Sequence, residues 1–231
     1  MKLKLIEKRD EANATKSFFW QPDSAVSFAP GQYFYYTLPK LNYEDPRGAT
    51  RHFTIASSPI ESNLLRLTTK IRQESGYKKT LDELPIGSEI EGQGPNGVFT
   101  FDETETGPHV FISGGIGITP FRSMINYDIL KNLKIPIYLL YSCSNQDEVA
   151  FKDELDGWDK NCDYFTMKVV VTSQEGRIDQ EKIKNFLLKN NIQKPTFWVC
   201  GPPPFIDAME AILREMGVLP DNIRSEKFTG Y

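Results

Sequence analysis

Cysteine is scarce in this chain of 231 residues, and its few cysteines are widely spaced. The three, Cys143, Cys162 and Cys200, form no C-x-x-C pair. Because zinc and iron–sulfur centres need several closely spaced thiolates, we expect no metal centre from this chain alone. An odd set of isolated thiols is typical of a reducing compartment, which predicts a cytoplasmic protein with free cysteines.

The chain also lacks an excess of positive charge and any long apolar run. Its 27 Lys and Arg residues against 31 Asp and Glu residues give a formal net charge of -4, which predicts no nucleic-acid partner. A local basic patch for an acidic protein partner stays open. The N-terminal segment returns to charge too soon for a signal peptide, and no run approaches the ~20 apolar residues of a membrane span. We expect a soluble monomer or weak homodimer.

Residues 1–103 consist of short β-prone runs separated by Gly, Pro, Asn and Asp. Only residues 78–84 have a helical pattern, and that segment is short. Many strands without long helices are typical of an antiparallel barrel or sandwich. The predicted strands are 17–20, 32–38, 52–57, 64–71, 88–94 and 97–101.

After a polar stretch at 102–108 the pattern changes to alternating strands and helices. The clearest helix is 205–216, where apolar residues recur at helical spacing. This succession predicts a parallel sheet with helices on both faces and ligands beyond the carboxyl ends of its strands. The expected organisation is therefore an antiparallel β-barrel domain, 1–103, followed by an α/β domain, 104–231. The predicted parallel strands are 109–113, 135–141, 166–171 and 196–200.

The segment SGGIGITP directly follows the first of these parallel strands and precedes a helical segment. Gly114, Gly115 and Gly117 free the backbone for a tight turn that lets phosphates approach its N–H groups. Thr119 is expected to cap the helix, with Pro120 at the first helical position. The turn predicts a phosphate site, although an ordinary strand-to-helix turn is the plain alternative.

Two further segments carry candidate cofactor-binding side chains. In CGPPP, Cys200 ends a predicted central strand and Gly201 permits a sharp exit, although a buried core cysteine would look the same. In RHFT, Arg51 and Thr54 fall on opposite faces of an extended strand, with Phe53 beside them. Arginine offers donors for a phosphate and threonine a hydroxyl for a ring nitrogen, but a solvated charge would also fit.

Together, and in this order, these segments resemble the ferredoxin–NADP reductase superfamily, in its small soluble members without a fused iron–sulfur domain. The resemblance covers essentially the whole chain. Its matching points are PGQY (30–33), RHFT (51–54), IRQESGYKKTLDELPIG (71–87), GGIGITP (114–120), YSCSNQDEVAFKDEL (141–155), CGPPP (200–204) and SEKFTGY (225–231).

The resemblance implies that the barrel binds a flavin, FAD rather than FMN. Arg51 would then pair with the flavin phosphates and Thr54 would contact the N5 edge of the ring system. Phe53 stands where the family usually has Tyr, so any hydrogen bond from that hydroxyl is lost. Thr80 is expected where the short helix begins, beside a pyrophosphate. The other implied flavin-binding residues are His52, Lys70, Ile71, Gly76 and Lys79.

The resemblance also implies a nicotinamide-nucleotide site in the second domain. The glycine turn would bind the pyrophosphate, and Cys200, followed by Gly201 and Pro202, would lie near the nicotinamide. Glu226 and Phe228 match a terminal Glu-x-aromatic pattern whose ring covers the flavin. The chain continues to Tyr231, so either aromatic residue could be the stacking ring, with Phe228 favoured. The implied catalytic set is Thr54, Cys200, Glu226 and Phe228.

By the same resemblance, reduced nicotinamide would give a hydride to flavin N5, and the flavin would pass single electrons to ferredoxin or flavodoxin, or the reverse. NADH is slightly favoured over NADPH, because Asp147 and Glu148 suit a ribose diol. Gln174 also stands at a position where the NADP-specific members of the family often carry Arg. Ser173 and Arg177 are compatible with NADPH. Three alternatives stay open: a free-flavin or ferric reductase, a subunit of a larger redox complex such as an oxygenase, and a module that has lost its flavin.

Overall fold

The computed structural model describes residues 1–228 and arranges them in two β-sheets. The first sheet has six strands in the order β4-β3-β6-β1-β2-β5, and its neighbouring strands pair antiparallel. One helix, α1 (Gly76–Glu83), crosses from β5 to β6. The strands are β1 (Lys2–Ala12), β2 (Thr15–Pro22), β3 (Tyr33–Thr37), β4 (Thr50–Thr54), β5 (Leu65–Lys70) and β6 (Glu89–Asn96).

This sheet curls until its outer strands meet. Ile55, just after β4, forms an isolated antiparallel bridge with Leu67 of β5, and the Ala56 amide donates to the Arg66 carbonyl at 2.7 Å. The interior is filled by aromatic and aliphatic side chains, among them Trp20 and Phe34. The predicted antiparallel barrel is confirmed.

The second sheet has five parallel strands in the order β11-β10-β7-β8-β9. Its strands are buried on both faces: Val110 and Ile112 pack into one apolar cluster, while Phe111 between them packs into another. Helices cover both faces, as predicted. The elements are β7 (His109–Gly114), α2 (Ile118–Lys131), β8 (Ile137–Cys143), α3 (Lys152–Asn161), β9 (Phe165–Val171), α4 (Thr172–Glu175), α5 (Gln180–Lys189), β10 (Thr196–Gly201), α6 (Pro203–Glu215) and β11 (Ile223–Lys227).

Two elements differ from the sequence-based expectation. The predicted strand 97–101 is wrong, because Phe99 and Phe101 instead pack into an apolar cluster of the second sheet. The long strand β1 was missed, because charged residues surround its only two buried leucines, Leu3 and Leu5. The predicted boundary at 103/104 falls between β6 and β7 and stays a prediction.

A buried network of ion pairs joins the barrel to the parallel sheet. Arg122 on α2 contacts Glu61, in the loop before β5, and Glu154 on α3. Glu154 also accepts from Arg66 of β5 at 2.9 Å, and Arg66 pairs with Glu11 of β1 at 2.7 Å. Burial alone would raise the pKa of Glu154, but hydrogen bonds and charges from the two arginines outweigh it and lower the pKa to about 2. The network fixes the two sheets side by side.

Candidate cofactor site

Two cavities open where the barrel meets the carboxyl edge of the parallel sheet. The smaller, called the cleft here, has a volume of about 60 Å³ and is lined from the barrel by Arg51 and Thr54 and from the sheet by Thr119, Glu226 and Phe228. The larger cavity, of about 460 Å³, is lined by the glycine turn, the start of α6 and the ends of β5 and β8. Ile116 of the glycine turn borders both cavities.

The carboxyl end of β10 brings Cys200 next to Glu226, its register partner on β11. Glu226 Oε2 is buried and has no hydrogen-bond partner among the described residues. Burial raises the pKa of Glu226 to about 7, so near neutral pH this carboxyl is partly protonated. Burial, and then the charge of Glu226, also raise the pKa of the Cys200 thiol, which therefore stays protonated.

The glycine turn packs against β10. A Cβ on Gly117 would lie 2.3 Å from the Cys200 carbonyl oxygen, so only glycine permits this contact. The turn is a short 3₁₀ helix over Gly115–Gly117, and α2 begins directly after it at Ile118.

The predicted helix start was wrong. Gly117 already has helical dihedral angles, so Thr119 and Pro120 fall inside α2 and no side chain caps the helix. The Thr119 hydroxyl instead donates to the Ile116 carbonyl at 3.1 Å.

On β4, Arg51 is buried and already has partners. Its guanidinium pairs with Asp45 and donates to the carbonyl oxygens of Arg47 at 2.8 Å and Gly48 at 3.0 Å. Phe53 packs in the barrel with its ring 6.0 Å from that of Tyr77. The implied role of Arg51 at a phosphate stays a prediction. A phosphate would meet the Asp45 carboxylate that Arg51 already contacts.

Thr80 does not lie where α1 begins, so that expectation was wrong. The helix starts at Gly76 with Ser75 as its N-cap, because the Ser75 side chain accepts from the Lys78 amide. The buried Thr80 hydroxyl donates to the Gly76 carbonyl at 2.8 Å and accepts from the Asn42 amide at 2.9 Å.

Other implied flavin-binding residues are spread around the site. His52 lines the cleft, and Lys70 lines the larger cavity, where its ammonium pairs with Glu148 at 2.6 Å. Ile71 packs at the barrel core, and Lys79 lies 3.7 Å from the centre of the Tyr43 ring. Tyr231 lies outside the described residues.

The implied nucleotide-binding residues are divided in the same way. Gly114, Gly115 and Pro202 line the larger cavity. Gly117 and Cys200 line neither cavity but pack against each other where the glycine turn meets β10. Sequence reasoning gave no site role to several residues that line the cavities. Tyr33 and Arg72 lie inside the matching segments 30–33 and 71–87, and Phe205 lies in the predicted helix 205–216, whereas no motif covers Arg47 and Thr68.

The donors at the start of α1 are of the kind that bind phosphate. Arg51, the Tyr77 amide and the Ser75 hydroxyl hold an anion, the Asp45 carboxylate, and a flavin diphosphate would need donors of the same kinds. The cleft is much smaller than the ~300–1,000 Å³ of an ordinary cofactor pocket, so a flavin ring requires lining side chains such as Phe228 to move.

No helix among the 228 described residues is long and apolar enough to cross a membrane. Among the same residues, no group of three or more His, Cys, Asp or Glu side chains is placed to hold a metal ion.

Comparison with known proteins finds two family models. Residues 2–101 match an oxidoreductase FAD-binding domain, and residues 111–211 match an oxidoreductase NAD-binding domain. Flavohemoprotein A of Dictyostelium discoideum is 26% identical over 96% of this chain, which spans only 58% of that protein's length.

Solved structures share the fold. The flavohem-like FAD/NAD-binding domain of nitric oxide dioxygenase from Vibrio cholerae matches with a TM-score of 0.81 at 21% identity. The match covers 98% of this chain and 98% of that domain. Ferredoxin–NADP⁺ reductase from Plasmodium falciparum gives a TM-score of 0.80 at 20% identity, over 98% of this chain and 95% of that one.

Proposed function

This chain belongs to the ferredoxin–NADP reductase superfamily, and from that premise we propose that it passes electrons from a reduced nicotinamide nucleotide through FAD to a one-electron acceptor protein. One observation carries the proposal: a single cleft is lined both by the barrel, through Arg51 and Thr54, and by the parallel sheet, through Glu226 and Phe228. A cofactor held there would touch both sheets and, through Arg51 and Thr119, both matched domains.

The protein's own groups divide the work of binding and orientation. A bound FAD would supply the capacity to take up a hydride from the nicotinamide and to release electrons one at a time. Thr54 would orient the ring by its hydroxyl, and the glycine turn would bind the nucleotide phosphates through its N–H groups. Cys200, held against Gly117, would position the nicotinamide. Glu226, with a pKa of about 7, would hold or release a proton beside it.

The acceptor is the less constrained part of the proposal. The proposed acceptor is a carrier outside the described residues. We favour a separate ferredoxin or flavodoxin. A permanent redox partner, such as an oxygenase subunit or a fused haem domain, is the second candidate, because the matched flavohemoproteins are longer than this chain.

The two carboxylates that favour NADH in the sequence already have partners in the structure. Asp147 accepts a hydrogen bond from Asn13 at 2.9 Å, and Glu148 pairs with Lys70, so both carboxylates already have partners. Arg72 and Arg177 line the larger cavity together with Glu148, and NADPH would need such cations for its 2′-phosphate. The preference for NADH therefore stays a prediction.

Anaerobic stopped-flow reduction of the FAD-loaded protein by NADH and by NADPH tests the proposal. Flavin absorbance should bleach with at least one nucleotide, faster with NADH if the prediction holds. Cys200→Ala should slow bleaching by about 10- to 100-fold, because a misplaced nicotinamide loses its alignment, while flavin affinity stays unchanged.

Cys162→Ala is the matched control, because Cys162 ends α3, which contributes no residue to either cavity, whereas Cys200 lies against Gly117 and beside the cleft-lining Glu226. It should reduce at the wild-type rate. Equal rates for all three proteins would make Cys200 an ordinary core residue. A protein that takes up no flavin would refute the reductase proposal itself.

A further inference from the structure

The segment between β3 and β4, residues 38–49, folds over the start of α1. A Cβ on Gly76 would lie 2.3 Å from the Glu44 carbonyl oxygen and 2.7 Å from that of Tyr43, so the backbone of the segment touches the helix directly. The Asn42 amide donates to the Thr80 hydroxyl at 2.9 Å, and the Tyr43 hydroxyl donates to Glu83. We call residues 38–49 the covering segment.

The covering segment places one carboxylate, that of Asp45, at the N-terminus of α1. Its Oδ2 accepts from the Tyr77 amide at 2.9 Å and from the Ser75 hydroxyl at 3.1 Å. Its Oδ1 accepts from the Arg47 amide at 3.0 Å and from Arg51. The Asp45 side chain is only 5% exposed, and these four donors match the acceptor capacity of a carboxylate.

Asp45 is held as an anion. Burial alone would raise its pKa, but the hydrogen bonds from the Tyr77 and Arg47 amides and from Ser75, with the charge of Arg51, outweigh burial and lower it. The site is therefore already neutralised by a negative charge from within the chain.

The same donors suit a phosphate. A helix N-terminus, a hydroxyl and an arginine fork together form an anion site, and a diphosphate brings negative charge that cannot share it with a carboxylate. Either Asp45 or the phosphate can contact Arg51 and the Tyr77 amide, but not both.

We propose that Asp45 is an internal competitor of the flavin diphosphate, so that FAD binds only when the covering segment leaves α1. This inference rests on the proposed function, since it concerns the same cofactor. It makes Asp45 a determinant of flavin affinity and of discrimination between flavins with and without phosphate.

Equilibrium titrations with FAD and with riboflavin test the competition. Asp45→Asn removes the charge but keeps the shape, so it should bind FAD at least ~10-fold more tightly than the wild type and riboflavin equally well. The matched control is Glu44→Gln, which removes the neighbouring exposed carboxylate and should match the wild type for both flavins. Unchanged or weaker FAD binding by Asp45→Asn, or an equal gain for riboflavin, would overturn the proposal.

Hydrogen–deuterium exchange of the wild-type protein tests displacement without any substitution. Addition of FAD should speed exchange of peptides from residues 38–49 and leave α5 unchanged. Equal or slower exchange in the covering segment would show that Asp45 keeps its place and would refute the inference. This measurement decides the matter even if Asp45→Asn fails to fold.

Inorganic pyrophosphate separates this inference from the proposed function. If neither FAD nor riboflavin binds any of the proteins, the flavin function fails. Pyrophosphate should still raise the thermal midpoint of Asp45→Asn more than that of the wild type. Equal shifts in the two proteins would remove the competition as well.

Discussion

At the scale of single residues, the surroundings of Glu226 change its pKa. An isolated glutamate is ionised throughout the neutral range, but burial beside Cys200 raises the pKa of Glu226 to about 7. The carboxyl lines the cleft with one oxygen unpaired, so it can take up or release a proton where the cofactor is proposed to bind. No spacing in the sequence indicates this shift.

Glu226→Gln should change how stability depends on pH. The pKa is 4.5 when the chain is unfolded and about 7 when it is folded, so the folded state binds more protons between these values. The contribution of Glu226 to stability is therefore complete below about pH 4.5 and is lost as pH rises through 7. The free energy of unfolding of Glu226→Gln, relative to that of the wild type, should therefore rise by on the order of 1–3 kcal/mol between pH 4.5 and 8.

Urea unfolding of both proteins at several pH values measures this gain. The buried Asp128, whose pKa is raised to about 6, is common to both proteins and cancels in the difference. A constant difference between the two proteins across this range would show that Glu226 titrates normally.

Among the elements, the glycine turn before α2 depends on a close approach that one methyl group would prevent. Gly117 lies against the backbone of Cys200, whereas Gly115 needs its left-handed φ of +55° and has open space around it. The turn thus joins β7 to α2 and places Ile116 at the border of both cavities.

Gly117→Ala should weaken nucleotide binding. Its Cβ would meet the Cys200 carbonyl oxygen at 2.3 Å, so the turn or the end of β10 must shift. We expect a loss of about 1–3 kcal/mol in unfolding free energy and a nucleotide dissociation constant raised about 10-fold, by urea unfolding and calorimetry.

Gly157→Ala is the control for this substitution. Gly157 lies inside α3 with nothing within 4 Å of a new Cβ. It should stabilise the protein by about 0.5–1 kcal/mol and leave nucleotide affinity unchanged, because alanine favours the helix. If Gly117→Ala behaved in the same way, the packing of the turn on β10 would not matter for binding.

At the scale of the whole molecule, the buried ion pairs around Glu154 set how the two sheets meet. Arg66 comes from the barrel and Arg122 from the second domain, and one carboxylate serves both. The shape of the cleft depends on these ion pairs, because its lining residues come from both the barrel and the second domain.

Glu154→Gln should destabilise the protein by about 3–5 kcal/mol, because two buried guanidinium groups would lose their shared counter-charge. The loss should be largest above pH 4.5, the ordinary pKa of this carboxyl, and shrink as pH falls toward the folded value of about 2. Urea unfolding at pH 7 and pH 3 measures both.

Asp156→Asn, on the same helix, is the control. It breaks only an exposed ion pair with Lys152 and should cost less than about 1 kcal/mol. Similar losses for the two substitutions would mean that the network contributes no more than a surface pair.

The fold was predictable because its signals are local. Short β-prone runs and turn residues predicted the barrel, and the apolar runs at 109–113 and 196–200 predicted two of the central parallel strands. The failures were also local in cause: β1 carries too much charge to look like a strand, and 97–101 looks like one but packs without pairing.

The amino-acid sequence alone determined the order of the elements, the glycine turn and the family resemblance, since these depend on neighbours along the chain. Tertiary structure decided which groups meet: Asp45 with the Tyr77 amide, 32 residues away, and Glu226 with Cys200. The proton affinity of a carboxyl and the availability of an arginine depend on burial and on such distant partners, so only the folded chain could show that Arg51 already holds an anion.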